Sequence, residues 1–159
     1  MDEPTTATVL FLCTGNYYRS RHAEAVFNHL AATACRGWRA TSRGLALELG
    51  VNNVGPIARA TLNRLRLLGI DHEPYLRQPI QVAEADFAST RLVVALKESE
   101  HRPLMTQRHP DWADRIEYWT VDDIDFATPA VTLPKIEAQV RALVARLAAV
   151  PPRKIEDNP

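Results

Sequence analysis

The chain has 159 residues, 46% of them hydrophobic and 24% charged, with 19 Lys plus Arg balanced by 19 Asp plus Glu. That length suits one domain with a sizeable core, and zero net charge gives no general pull toward nucleic acid or an anionic membrane. No apolar run is long enough to span a bilayer, no signal-peptide pattern is visible, and two cysteines cannot build a disulfide framework or a four-cysteine zinc site. A cytoplasmic location, where a reactive thiol stays reduced, is expected.

Strand and helix patterns alternate along the chain. Residues 7–12 read as the first strand, with Val9 to Leu12 apolar without alternation, as in a strand buried on both faces of a parallel sheet. Gly15 and Asn16 mark a tight turn, and Ala23, Val26, Phe27 and Leu30 then recur at helical spacing, predicting a helix over 19–33. A second strand is expected near 38–42. A helix over 56–69 follows, with Pro56 in its first turn and Gly69 as its stop. Leu92 to Leu96 reads as a third buried strand, 98–107 as a short helix and Arg115 to Trp119 as a fourth strand. A last helix over 132–149 carries Leu133, Ile136, Val140, Leu143, Val144 and Leu147 on one face. Residues 1–6 and 151–159 read as frayed tails of a single domain. The alternation implies an α/β fold around a parallel sheet with helices on both faces.

The chemistry concentrates between the first strand and the first helix. Cys13 ends the strand, Arg19 follows six residues later, and Ser20 begins the helix. A helix N-terminus presents free N–H groups and positive potential, and beside an arginine it favours a thiolate over a thiol. Arg19 offers a planar fork of donors for two oxygens of a phosphate-like anion, and the amides from Thr14 through Gly15, Asn16, Tyr17 and Tyr18 to Ser20 supply further donors. A nucleophile beneath a tetrahedral oxyanion suggests in-line attack and a covalent thiophosphate. Ser20 would stabilise the departing sulfur. In open parallel sheets ligands bind beyond the carboxyl ends of strands, so Asp122, Asp123 and Asp125, after the fourth strand, can meet Cys13 across the sheet.

Cys-x5-Arg-Ser with Gly-Asn inside the loop and Ala-Glu-Ala after it resembles the low-molecular-weight protein tyrosine phosphatase family. Thr41-Ser42-Arg43-Gly44, Arg91 to His101 and Trp119 to Asp123 extend the resemblance over most of the chain. It implies a four-stranded sheet of order 2-1-3-4, a phosphotyrosine protein as substrate, a tyrosine kinase as counterpart, and a monomer or weak dimer. It also implies a hydrogen-bonded pair, Asn16 with Ser42, that holds the loop. No metal or organic cofactor is implied. The family's general acid lies in an Asp-Pro pair. Alignment from Trp119 puts Asp123 in the acid position with Ile124 in place of the proline, and Asp122 and Asp125 are the alternatives.

Other positions carry weaker expectations. Tyr17 stands where relatives have a small side chain; it suits an aromatic substrate and would crowd phosphoarginine. Phe126 is expected to form the opposite wall of the mouth. Tyr18 replaces a second loop cysteine, so no protective disulfide is expected, and Cys35 reads as a packed apolar residue. Arg21 is expected either to widen the positive rim or to be an exposed first-turn charge. The five histidines are expected at the surface or as caps. Two rival functions remain open at this point: an arsenate reductase using a low-molecular-weight thiol, and a non-catalytic phosphate- or phosphoprotein-binding module.

Overall fold

The computed structural model describes residues 6–150, so nearly all of both expected tails lies outside the described residues. Four strands, β1 (Ala7–Cys13), β2 (Trp38–Gly44), β3 (Leu92–Ala95) and β4 (Glu117–Tyr118), form one parallel sheet of order 2-1-3-4. Among the described residues five α-helices surround it: α1 (Arg19–Ala34), α2 (Arg59–Leu67), α3 (Glu84–Ala88), α4 (Glu98–Arg108) and α5 (Pro129–Ala149). Among the described residues no helix is long and apolar enough to cross a membrane.

The central strand shows why its sequence runs apolar without alternation. Val9 and Phe11 face the core shared with α1 and α5, while Leu10 and Leu12 face a second core with Phe87 of α3 and Met105 of α4. All four side chains are fully buried. Strand β1 pairs with β2 on one side and β3 on the other, with Val9 opposite both Ala40 and Leu92. This register brings the carboxyl ends of β1, β2 and β3 to one edge of the sheet, and Cys13 lies there.

Several boundaries differ from the sequence reading, each for a local reason. Helix α2 starts at Arg59 rather than at 56, because the Ala58 N–H donates to the Tyr17 carbonyl (3.0 Å) and ties this approach to the loop after β1. Gly69 ends that segment with φ 73°, a conformation open to glycine. Helix α5 starts three residues early, at Pro129, where the missing N–H costs nothing. The five residues of α3 are too few to show a helical period; the Asp86 carboxylate accepting from the Ala83 N–H (2.8 Å) closes its first turn.

Two of the histidines expected at the surface or as caps, His22 and His101, are fully buried. His22 Nε2 lies 2.9 Å from Glu137 Oε2, and Arg64 donates to both oxygens of that carboxylate at 2.8 and 2.7 Å. One carboxylate on α5 thereby ties α1 and α2 together. Burial would raise the Glu137 carboxyl, but Arg64 and His22 outweigh it and hold it down at about 2. A folded-state value below the ordinary 4.5 gives stability that is complete above pH 4.5 and is lost as pH falls toward 2. Glu137→Gln is therefore expected to cost about 2 kcal/mol at pH 7. In urea unfolding at pH 7, 4 and 2.5 the gap to wild type should shrink stepwise, and a gap independent of pH would refute the linkage.

Candidate active site

The loop between β1 and α1 reverses direction at Asn16, whose φ is 51°; this residue, rather than Gly15, takes the left-handed conformation. Asparagine tolerates that region better than most side chains, and here its amide is also fully used. Nδ2 donates to Ser20 Oγ and Ser42 Oγ, both at 2.9 Å, while Oδ1 accepts from Arg77 Nη1 and the Ile80 N–H, both at 3.0 Å. Ser42 Oγ in turn donates to Glu24 Oε1 (2.6 Å), and Arg77 Nη2 bridges Glu24 and the Ser42 carbonyl. Gly44 lies alongside: a Cβ there would come within 2.9 Å of the Thr14 carbonyl oxygen and 2.6 Å of the Leu47 side chain.

Arg21 is neither a rim charge nor an exposed one. It is completely buried and donates to the carbonyls of Asn16, Pro56, Tyr75 and Arg77. Burial and the neighbouring Arg77 lower it to about 10. Neither its burial nor the role of Arg77 and Glu24 leaves a local sequence signal, because their partners are carbonyls and side chains distant in the chain.

Cys13 Sγ lies 3.0 Å from Ser20 Oγ. Ser20 Oγ already accepts from Asn16, so its own hydrogen is left for the sulfur. The amide hydrogens of Gly15 through Ser20 meet no acceptor among the described residues, which leaves them for an anion. Arg19 is 2% exposed; its Nη1 donates to the Val121 carbonyl (3.1 Å) and its Nη2 to Glu100 Oε2 (2.6 Å). Burial works against its charge, yet Cys13, Glu100 and Asp123 together raise its pKa.

Glu100 belongs to the site although no pattern in the sequence singles it out. Its Oε2 also accepts from Thr14 Oγ1 (2.5 Å) and lies 2.9 Å from His101 Nε2. The Lys97 N–H donates to His101 Nδ1 (3.0 Å), so the ring proton sits on Nε2 and faces Glu100. Burial would raise the Glu100 carboxyl, but the hydrogen bonds from His101, Arg19 and Thr14 hold it well below the usual carboxylate range. Glu100 thus clasps both ends of the loop.

A cavity of about 420 Å³ opens above Cys13. Its lining includes Thr14, Gly15, Tyr17, Tyr18 and Arg19 from the loop, Leu49, Gly50 and Asn53 from the 47–55 segment, and Arg59 from α2. Asp123, Ile124 and Asp125 supply the other wall. Asp123 Oδ2 lies 3.6 Å from Arg19 Nη2, whereas Asp122 turns to Lys97 (2.9 Å) and is absent from the lining. Tyr17 is held on its wall by a hydroxyl donated to the Val54 carbonyl. Phe126 is not a wall: it is 72% exposed with Lys97 Nζ 4.1 Å from its ring centroid, and Ile124 takes the place expected of it.

Cys35 is buried just beyond the far end of α1, a helix of 16 residues and so about 24 Å from the loop. Burial pushes its thiol up. Among the described residues no cluster of three His, Cys, Asp or Glu side chains could hold a metal ion.

The family model described as low molecular weight phosphotyrosine protein phosphatase matches residues 8–150. Among solved structures, the Streptococcus pyogenes low molecular weight protein tyrosine phosphatase SP-PTP superposes with a TM-score of 0.74 at 18% identity, over 95% of this chain and 96% of that one. The corresponding phosphatase from T. tengcongensis gives 0.70 at 25% identity, over 91% and 99%. A thioredoxin-dependent arsenate reductase from Corynebacterium glutamicum gives 0.66 at 17% identity, over 92% of this chain and 64% of that one. No curated protein matches the sequence significantly.

Two expectations follow from this geometry. Asn16→Ala removes four hydrogen bonds and leaves Arg77 and Ser42 short of partners, so it should cost about 3 kcal/mol in denaturant unfolding and weaken inorganic phosphate binding at least about tenfold. Peroxide should carry Cys13 to sulfenic and higher acids, seen as added oxygen in intact mass, because Cys35 is out of reach; a thiol-reversible loss of two hydrogens would contradict this.

Proposed function

The chain belongs to the low molecular weight phosphotyrosine protein phosphatase family, and on that premise we propose that it hydrolyses phosphotyrosine monoesters through a phosphocysteine on Cys13. The observation that carries this reading is the convergence of Cys13, Arg19 and Asp123 on one cavity whose loop amides are unspent. Three phosphoryl oxygens would take the amides of Gly15 to Ser20 and the free donors of Arg19, which stabilise the charge spread over them in the transition state. Cys13 Sγ attacks phosphorus, the P–O ester bond breaks, and the Asp123 carboxyl gives its proton to the leaving phenoxide. In the second step the Asp123 carboxylate takes a proton from water, the oxygen attacks phosphorus and the P–S bond breaks. Ser20 donates to the departing thiolate. Thr14, Gly15 and Tyr18 shape the loop, while Asn16 and Ser42 hold it.

Tyr17 on one wall and Ile124 on the other favour a flat aromatic group between them, which suits phosphotyrosine. We assign the protein a phosphotyrosine protein as substrate, a tyrosine kinase as counterpart, a cytoplasmic setting and a monomeric or weakly dimeric state. Arsenate reduction is the second reading, motivated by the similarity to an arsenate reductase fold. Cys35 lies too far from Cys13 to relay electrons, so that reading requires an external low-molecular-weight thiol.

The test is para-nitrophenyl phosphate hydrolysis from pH 4 to 8 by wild type, Cys13→Ser and Asp123→Asn. Cys13→Ser should abolish turnover, and Asp123→Asn should lower kcat about a hundredfold and flatten the limb that needs the protonated acid. Folded wild type that turns over no aryl phosphate but forms arsenite with a small thiol would replace the phosphatase reading by the reductase one.

A further inference from the structure

The acid loop poses a structural question. Asp123 is followed by Ile124, which leaves φ free where the family's proline would fix it. Within the loop the Asp123 carbonyl accepts from the Phe126 and Ala127 N–H groups at 2.9 and 3.1 Å, and Asp123 Oδ1 accepts from the Ile124 N–H (2.9 Å). These bonds close a turn, but they do not tie it to the sheet.

Lys97 supplies that tie. It follows β3, where an antiparallel bridge pairs it with Thr120 and the Val121 N–H donates to the Leu96 carbonyl (2.7 Å), so its backbone is fixed beside the root of the acid loop. Its side chain is 15% exposed and runs outward to two partners. Nζ donates to Asp122 Oδ1 at 2.9 Å and sits 4.1 Å from the Phe126 ring centroid. One partner precedes Asp123 and the other follows it by three residues, so a single ammonium grips both shoulders of the turn. Lys135 and Arg19 also act on Asp122, but only through longer-range charge. Phe126, 72% exposed, gains little from burial where it stands; the cation gives that ring a reason to be there.

We propose that Lys97 is a positioning residue for the general acid, holding Asp122 and Phe126 so that the turn between them presents Asp123 to the leaving oxygen. It touches neither substrate nor sulfur and acts through Asp123 alone. The inference rests on the phosphatase reading above and adds to it the device that replaces the missing proline.

Leaving groups separate positioning from mere stability. Phenyl phosphate needs its leaving oxygen protonated, whereas 2,4-dinitrophenyl phosphate leaves unaided. Lys97→Met keeps the stem and removes the charge. It is expected to lower phosphorylation of the enzyme by phenyl phosphate, read as kcat/KM, about tenfold and that by the dinitrophenyl ester less than about twofold. Lys97→Arg retains a cation for both partners and should recover most of the loss. In an Asp123→Asn background, Lys97→Met should add no further loss on phenyl phosphate, because the group it positions is gone. Equal slowing of both esters by Lys97→Met, or a full additional loss in the Asp123→Asn background, would overturn the proposal while leaving the phosphatase reading intact. Wild type inactive on both esters would overturn both.

Discussion

The Asn16 side chain is the constraint on which the rest of the site depends. Its backbone sits in the left-handed region, and its amide spends all four hydrogen bonds on partners from α1, β2 and the 77–80 segment. That side chain holds the loop open as a ring of outward N–H groups instead of letting it collapse into a turn that would use them up. Because the same amide reaches Ser20, it also sets the hydrogen bond to Cys13 Sγ. The unspent loop amides and the setting of the Cys13 sulfur therefore share one mechanical origin.

Charge around the loop is divided by function. Arg21 and Arg77 lie close by but point inward, at carbonyls and at Glu24, and their burial lowers both pKa values. Arg19 and Arg59 line the cavity. Glu100 contacts Arg19 without itself lining the cavity, so it orients the guanidinium while leaving three N–H bonds of the fork for an anion. A buried cation without such a partner would be costly. The segment after β3 thus reaches both sides of the site, Lys97 toward the 122–126 loop and Glu100 toward the loop after β1.

Residues close in sequence were readable in proportion to how local their constraint was. The strand-loop-helix unit from Val9 to Phe27 was legible because burial on two faces, a turn and a helical period all lie within twenty or so residues. Strand β4, two residues long, and α3, five residues long, offer no such period, and the first appeared longer in sequence than it is. The histidines misled for a different reason: His22 and His101 are polar types whose burial is made tolerable by Glu137 and Glu100, and nothing near them in sequence announces those partners.

The sequence by itself determined the α/β class, the strand-loop-helix unit that carries Cys13 and Arg19, and a turn at Gly15 and Asn16, since each follows from neighbours within one loop and the elements beside it. Only the tertiary structure decided which of three aspartates line the cavity. Asp122, Asp123 and Asp125 are chemically alike and close in the chain; Lys97, about 25 residues earlier, draws Asp122 away, and of the two that line the cavity Asp123 lies beside Arg19. The same holds for Arg21 and Glu100. A side chain's charge is written in the sequence, but whether it is spent on a carbonyl, on another charge or on a ligand depends on which distant segment packs against it.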